Sequence, residues 1–217
     1  MARPQEHDKR RQLARRAVEV LQREGLGISM AQLARALDVK RPTLLYHFPQ
    51  LSHIVELALE ELLTDQMMYV IGEVAKHDHP IDKLYAQLRA VHAYHQGKEA
   101  TVLFLTQAIA TSAGQRMPSI IDVGNRVFAA HREQATARIR AGIEDGTVAP
   151  CDPDALIALV RALTDGLLVQ RVMTDVDLAP AHELLWKQLL EPLRLQPDDH
   201  ARPAPRAAQP HSTEASP

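Results

Sequence analysis

Residues 29–48, Ser-Met-Ala-Gln-Leu-Ala-Arg-Ala-Leu-Asp-Val-Lys-Arg-Pro-Thr-Leu-Leu-Tyr-His-Phe, constrain this chain more than any other stretch. Ser29 is a good helix cap, and Met30, Leu33, Ala34 and Leu37 then recur on one helical face. Asp38 and Val39 form a turn. Pro42 suits the first position of a second helix, where its missing N–H is not needed. Pro49 ends that helix at Phe48, because the residue before a proline is pushed out of helical geometry. The reading is a short helix, a tight turn and a second short helix whose first turn carries cations.

The flanking sequence is helical too. Leu13, Ala17, Val20 and Leu21 define a helix over about 8–24, and Gly25 suits the position after its end. Leu51, Ile54, Val55, Ala58, Leu59 and Leu62 begin a long helix that reaches about residue 75. Further helices are predicted over about 81–96, 99–111, 118–145, 154–174 and 179–195, separated by Gly and Pro breaks. No alternating strand pattern of useful length occurs, and aromatics are scarce at 4%. The expected fold is all-α, with about nine helices.

Three segments follow: an N-terminal three-helix domain over 1–50, a second helical domain over 51–195, and a Pro- and Ala-rich disordered tail over 196–217. The helix around 155–172 is apolar on most faces, with Ala158, Ala162 and Gly166 among its residues, so it must be covered on all sides. It is either the central helix of a monomer or, with the Leu184, Leu185, Trp186, Leu189, Leu190 and Leu193 helix, half of an intermolecular four-helix bundle. A homodimer through these last two helices is the expectation. No apolar run is long enough for a membrane span, and the start lacks the apolar core of a secretory signal. With Cys151 as the single cysteine, these features suggest a cytoplasmic protein.

The net charge of −2 hides an asymmetry. Residues 1–53 hold ten Lys/Arg against five acids, whereas the remainder holds 15 against 22. A basic front end on an acidic body fits a polyanion-binding head, although charge alone fits a solvated basic face equally well. Together with 29–48 it reads as a helix-turn-helix, in which the second helix enters the DNA major groove.

Ile28 to Val39, followed by Pro42-Thr43-Leu44 and Tyr46-His47-Phe48, resembles the N-terminal DNA-binding domain of the TetR family of bacterial transcriptional regulators. The resemblance covers about residues 8–63. It implies a homodimer that binds a double-stranded, palindromic operator and is released by a small-molecule effector. By that resemblance, Lys40 and Arg41 open the recognition helix, where Arg reaches guanine edges and Lys a phosphate. Pro42, Thr43, Leu45, Tyr46 and His47 complete the DNA-facing set, with Met30 opening the preceding helix and Phe48 packing behind it. Leu45 stands where the family often has tyrosine, Leu51 where it often has lysine, and Asp38 where it usually has glycine. Fewer phosphate contacts are therefore expected, offset by Lys9, Arg10 and Arg11.

In the body, Tyr85, Leu88 and His92 share a helical face and are candidates to line a cavity with Phe104, Gln107 and Arg126. Hydrogen-bonded core or surface roles are the alternative for each. The effector is expected to be largely apolar. His77, Asp78 and His79 carry metal-binding groups, but with no third ligand at a fixed spacing they read as a solvated loop, and neither metal nor cofactor is expected. Cys151 precedes a predicted helix start, which favours thiolate, yet it has no resolving partner. The common phosphate-loop, dinucleotide, zinc-protease and nucleophile-elbow motifs are absent, so a non-enzyme is expected. The rival reading is a small helical ligand-binding protein or enzyme whose N-terminal hairpin is structural.

Overall fold

Ser29 and Gln32 set the start of the first short helix by bonding reciprocally across it. Ser29 Oγ accepts from the Gln32 N–H at 3.3 Å and Gln32 Oε1 accepts from the Ser29 N–H at 3.0 Å. This computed structural model describes residues 4–115 and 118–195. Nine α-helices account for most of them: α1 Pro4–Glu24, α2 Met30–Ala36, α3 Arg41–His47, α4 Leu51–Val74, α5 Pro80–Tyr94, α6 Glu99–Gln115, α7 Pro118–Glu144, α8 Pro153–Thr174 and α9 Ala179–Leu185. The all-α expectation holds. The tail expected over 196–217 lies outside the described residues, and none of the described helices is long and apolar enough to cross a membrane.

Local chemistry explains the breaks. Asp38 adopts φ +53°, the left-handed geometry that Asp tolerates better than most residues, so the turn between α2 and α3 closes without glycine. Asp152 caps α8, its Oδ1 accepting from the N–H groups of Asp154 and Ala155 at 3.0 and 3.1 Å. His79 is no solvated loop residue. Its Nδ1 accepts from the Ile81 N–H at 3.1 Å to cap α5, and its Nε2 donates to the Thr147 carbonyl at 3.0 Å. Both ring nitrogens are therefore used in holding α5 to the loop before α8. Among the described residues no three His, Cys, Asp or Glu side chains are placed to hold a metal ion. Burial, with Asp152 adding to it, holds the Cys151 thiol above its usual pKa, which outweighs the pull of the helix start towards thiolate.

The last predicted helix is shorter than its apolar pattern suggests. After α9 the backbone widens into a π turn over Trp186–Leu190 and tightens into a 3-10 turn over Glu191–Leu193. Pro192 explains the change, because it lacks an N–H and its ring would strike the carbonyl one turn earlier.

Two apolar clusters build the core. The first joins Leu13, Ala17 and Leu21 of α1 with Leu33, Leu37, Leu44 and Phe48, then with Ile54, Val55 and Leu59 of α4. It continues into Phe104 and Ala108 of α6 and Val123 of α7. The second joins Ile81, Leu84 and Leu88 of α5 to Ile139 of α7, Leu156 and Val160 of α8, and Leu185 and Leu190. The head thus completes its core on the first turns of α4, and Glu61 of that helix receives Arg11 at 3.1 Å and Arg15 at 2.8 Å.

One apolar face has no cover among the described residues. On α8, Leu159 is 47% exposed and Met173 76%, with Ala155, Ala162 and Gly166 exposed along the same face. Leu184 of α9 is exposed as well.

Candidate functional site

Leu44 and Phe48 are fully buried and anchor one face of α3, which leaves the opposite face outward. Lys40 is the backbone N-cap and makes no side-chain capping bond, while Arg41, Pro42 and Thr43 follow it, all exposed. Tyr46 is exposed, and its hydroxyl donates to Glu6 Oε1 at 2.7 Å, an acid that holds the phenol pKa above its usual value. Leu45 and His47 are half-buried at the rim. The structure therefore gathers Lys40, Arg41, Pro42, Thr43 and Tyr46 on one outward surface.

Met30 departs from that set, since its side chain packs against the first core cluster. Leu51 packs there as well, which gives an apolar role to the position where a cation was missing. Two of the three compensating cations are also committed. Arg11 pairs with Glu61, and the Arg10 guanidinium lies 5.1 Å from the centroid of the Phe48 ring.

A second polar constellation lies buried in the body. His92 of α5 has Nε2 2.8 Å from the Thr164 carbonyl of α8 and Nδ1 2.7 Å from His182 Nε2 of α9. A carbonyl only accepts, so His92 Nε2 carries the proton; neutral His92 then accepts at Nδ1 from His182 Nε2–H. The two rings are parallel within 4° and 5.0 Å apart, so the nitrogens meet edge to edge. One turn on, His95 Nε2 donates to Gln66 Oε1 of α4 at 2.9 Å. Arg171 of α8 donates from Nη1 to the His92 carbonyl at 3.2 Å. These bonds join α4, α5, α8 and α9.

The six residues expected to share a cavity do not line a single one, although Tyr85 and Leu88 both pack in the second core cluster and the Tyr85 hydroxyl donates to the His182 carbonyl at 3.3 Å. His92 belongs to this polar centre, and Leu88 is packed solid in the second core cluster. Tyr85 instead stands against Trp186, ring centres 4.9 Å apart, on the wall of an open groove of about 510 Å³ between α4, α5 and the C-terminal turn. Phe104 lies in the first cluster, near α1, while Gln107 and Arg126 are exposed. Sequence reading missed Gln66, Thr164, Arg171 and His182. A signal existed for two of them. Gln66 and Thr164 each interrupt an apolar stripe at helical spacing, four residues from Leu62 and Val70 and from Val160 and Leu168 respectively.

Burial is the main cause that lowers the pKa of His92, and it brings His95 and His182 down to about 4, with Arg171 and neighbouring histidines adding to it. The folded state therefore stays neutral at these rings while the unfolded chain takes up protons near pH 6.5. Stability is complete above that pH and declines as pH falls from 6.5 towards 4. Each such ring contributes a slope of up to about 1.4 kcal/mol per pH unit. Urea unfolding between pH 4.5 and 7.5 should show that decline, and His95→Gln should flatten it. A pH-independent midpoint in the parent protein would contradict the neutral assignment.

The fold is the one seen in helical transcriptional regulators that carry an N-terminal helix-turn-helix. The TetR family transcriptional regulator PfmR from Thermus thermophilus superposes with a TM-score of 0.62 at 20% identity, over 82% of this chain and 95% of that one. FadR from Bacillus subtilis, solved in complex with stearoyl-CoA, gives 0.66 at 16% identity, over 84% and 98%. The ketosteroid transcriptional regulator KstR2 of Mycobacterium tuberculosis gives 0.62 at 17% identity, over 87% and 96%. No protein-family model matches the sequence, and no curated protein does.

Proposed function

We propose that this chain is a homodimeric transcriptional repressor of the TetR family, released from a palindromic operator by a small-molecule effector. The observation that carries the reading is the outward row Lys40, Arg41, Thr43 and Tyr46 on a helix seated in the regulator fold. Residues 1–50 form the DNA-binding domain and 51–195 the effector and dimerisation domain. Arg41 reads a base edge, Lys40 and Thr43 hold phosphates, and Tyr46 meets the backbone. Neither FadR nor KstR2 identifies the effector; they support a ligand of small-molecule size.

The route from effector to DNA follows from two helices that span both regions. Helix α4 carries Gln66 in the polar centre and, five residues earlier, Glu61 on Arg11 and Arg15 of the head. Helix α6 meets α1 directly, with Gln22 Nε2 donating to Thr101 Oγ1 at 3.1 Å. A ligand that shifts α4 or α6 therefore moves the reading helix. Its leverage equals the difference in its affinity for the two states.

Dimerisation through α8 and α9 is supported by the uncovered stripe. Gly166 stands in mid-helix, where glycine costs roughly 0.5–1 kcal/mol relative to alanine. A Cβ there would meet nothing within 4 Å among the described residues, so a close neighbour from a second copy is a reason for it. Leu159→Glu and Gly166→Arg should each weaken the dimer by roughly a hundredfold or more, since an unpaired charge in an apolar interface costs several kcal/mol. Sedimentation velocity reads this directly, and dimers that persist in both variants would place the interface elsewhere.

The function itself is tested by selecting from a pool of random duplex DNA. The expected product is a palindrome whose half-sites lie about 34–36 Å apart, or a multiple of that distance. Recovery of no sequence would favour the rival, a helical binding protein with a structural hairpin.

A further inference from the structure

Four buried side-chain nitrogens among the described residues have no hydrogen-bond partner, and three lie in the body: Arg171 Nε, Arg171 Nη2 and His95 Nδ1. Buried polar groups are nearly always paired, so this concentration calls for a cause. The Arg171 pair is the informative one. Nε and Nη2 form one edge of the guanidinium and present two parallel N–H groups, the spacing that the two oxygens of a carboxylate match. The remaining nitrogen, Nη1, is already spent on the His92 carbonyl.

Arginine cannot escape burial by losing its proton, as a lysine or histidine can. It needs an anion or a full set of acceptors. The described residues supply neither, since none of their ion pairs includes Arg171 and its Nε and Nη2 have no acceptor among them. Asp165, lower on the same helix, pairs with Arg161 at 3.5 Å. The charge of Arg171 is felt instead by His92, His95 and His182, where it opposes protonation. A fixed cation is thus surrounded by rings held neutral, with its two-pronged edge unspent. His95 adds an unused acceptor, because its Nε2–H is committed to Gln66 and Nδ1 is a bare lone pair.

We propose that Arg171 is the anion-holding residue of a ligand site in the helical body, and that its ligand is a small organic carboxylate gripped by Nε and Nη2. The proposal deepens the effector-responsive reading and rests on it for its regulatory meaning. It sharpens the expected ligand from largely apolar to an apolar molecule with a single acidic end. The site also explains how binding reaches the head, since Arg171 touches the His92 backbone of α5, and His95, the C-cap of that helix, is bonded to Gln66 of α4.

The probes are straight-chain carboxylates from acetate to decanoate, with hexanamide and hexylammonium as uncharged and cationic controls. Thermal unfolding and calorimetric titration are run on the full chain and on Arg171→Met and Arg171→Lys. In the parent protein the longer carboxylates should raise Tm and the two controls should not. Arg171→Met should be at least as stable as the parent without ligand, because an uncompensated buried charge has gone, and should lose the carboxylate response. Arg171→Lys keeps the charge but not the fork, and should bind carboxylate roughly tenfold more weakly or worse. Equal carboxylate shifts in the parent and in either variant would overturn the proposal, as would no shift with any carboxylate. Duplex DNA binding is measured on the parent in parallel. A carboxylate response through Arg171 without DNA binding would sink the repressor reading alone, and DNA binding without that response would sink the anion site alone.

Discussion

Replacing Lys40 and Arg41 together by alanine is expected to remove operator binding while leaving the fold intact. Both side chains are exposed, and Lys40 makes no capping bond, so the change in stability should stay within about 0.5 kcal/mol. An Arg on a guanine edge contributes about 1–3 kcal/mol. A symmetric dimer uses it twice, for about 2–6 kcal/mol, or roughly thirtyfold to ten-thousandfold in affinity. Lys40 on a phosphate changes the salt dependence instead, lowering the slope of log K against log salt by about 1 per contact, or about 2 per dimer. Fluorescence anisotropy on the selected duplex across a salt series separates the two effects. Unchanged affinity and unchanged slope, with unaltered circular dichroism, would show that α3 does not read DNA.

Phe48→Ala should produce the largest loss of stability. The ring is fully buried where the end of α3 meets α1 and α4, and the Arg10 guanidinium sits over it. Truncating a buried Phe costs about 3–5 kcal/mol through lost apolar burial and the cavity left behind. Total stabilities of such domains run to about 5–15 kcal/mol, so a substantial part would go. The loss should fall first on the head, whose core Phe48 completes beside Leu33, Leu37 and Leu44 of the α2–α3 unit. Urea unfolding gives the magnitude, and amide exchange in α2 and α3 gives the location. Phe48→Leu should restore much of the stability. A loss under about 1 kcal/mol would mean that the head does not depend on this contact.

How far the chain could be read in advance differs from part to part. The head was readable because its determinants are local. The Ser29–Gln32 capping box, the left-handed Asp38 and the Pro42 and Pro49 boundaries all act within a few residues, so the linear order contains them. Amphipathic spacing likewise marked α1, α4, α5 and α8 to within a few residues. The failures share one cause, which is contact between residues far apart in sequence. Met30 packs against the head core, and Arg11 pairs with Glu61, 50 positions later. The shared face of Tyr85, Leu88 and His92 was real as a helical period, but Tyr85 and Leu88 pack into the second core cluster while His92 is bonded to His182 and Thr164 of other helices.

The sequence by itself determined an all-α chain, most of its helix boundaries though not the end of α9, and which side chains α3 turns outward, because helical period, caps and prolines are short-range physics. Tertiary structure alone decided the chemistry of the body. A polar centre made from Gln66, His92, Thr164, Arg171 and His182 draws on four helices spread over more than 110 positions, and no spacing rule links them. Only packing reveals that His79 reaches the Thr147 carbonyl, that α8 keeps an apolar face uncovered by the described residues, and that the Arg171 guanidinium has one buried edge unspent. Whether a polar group is paired depends on what surrounds it in space, and that is settled only when the helices close on one another.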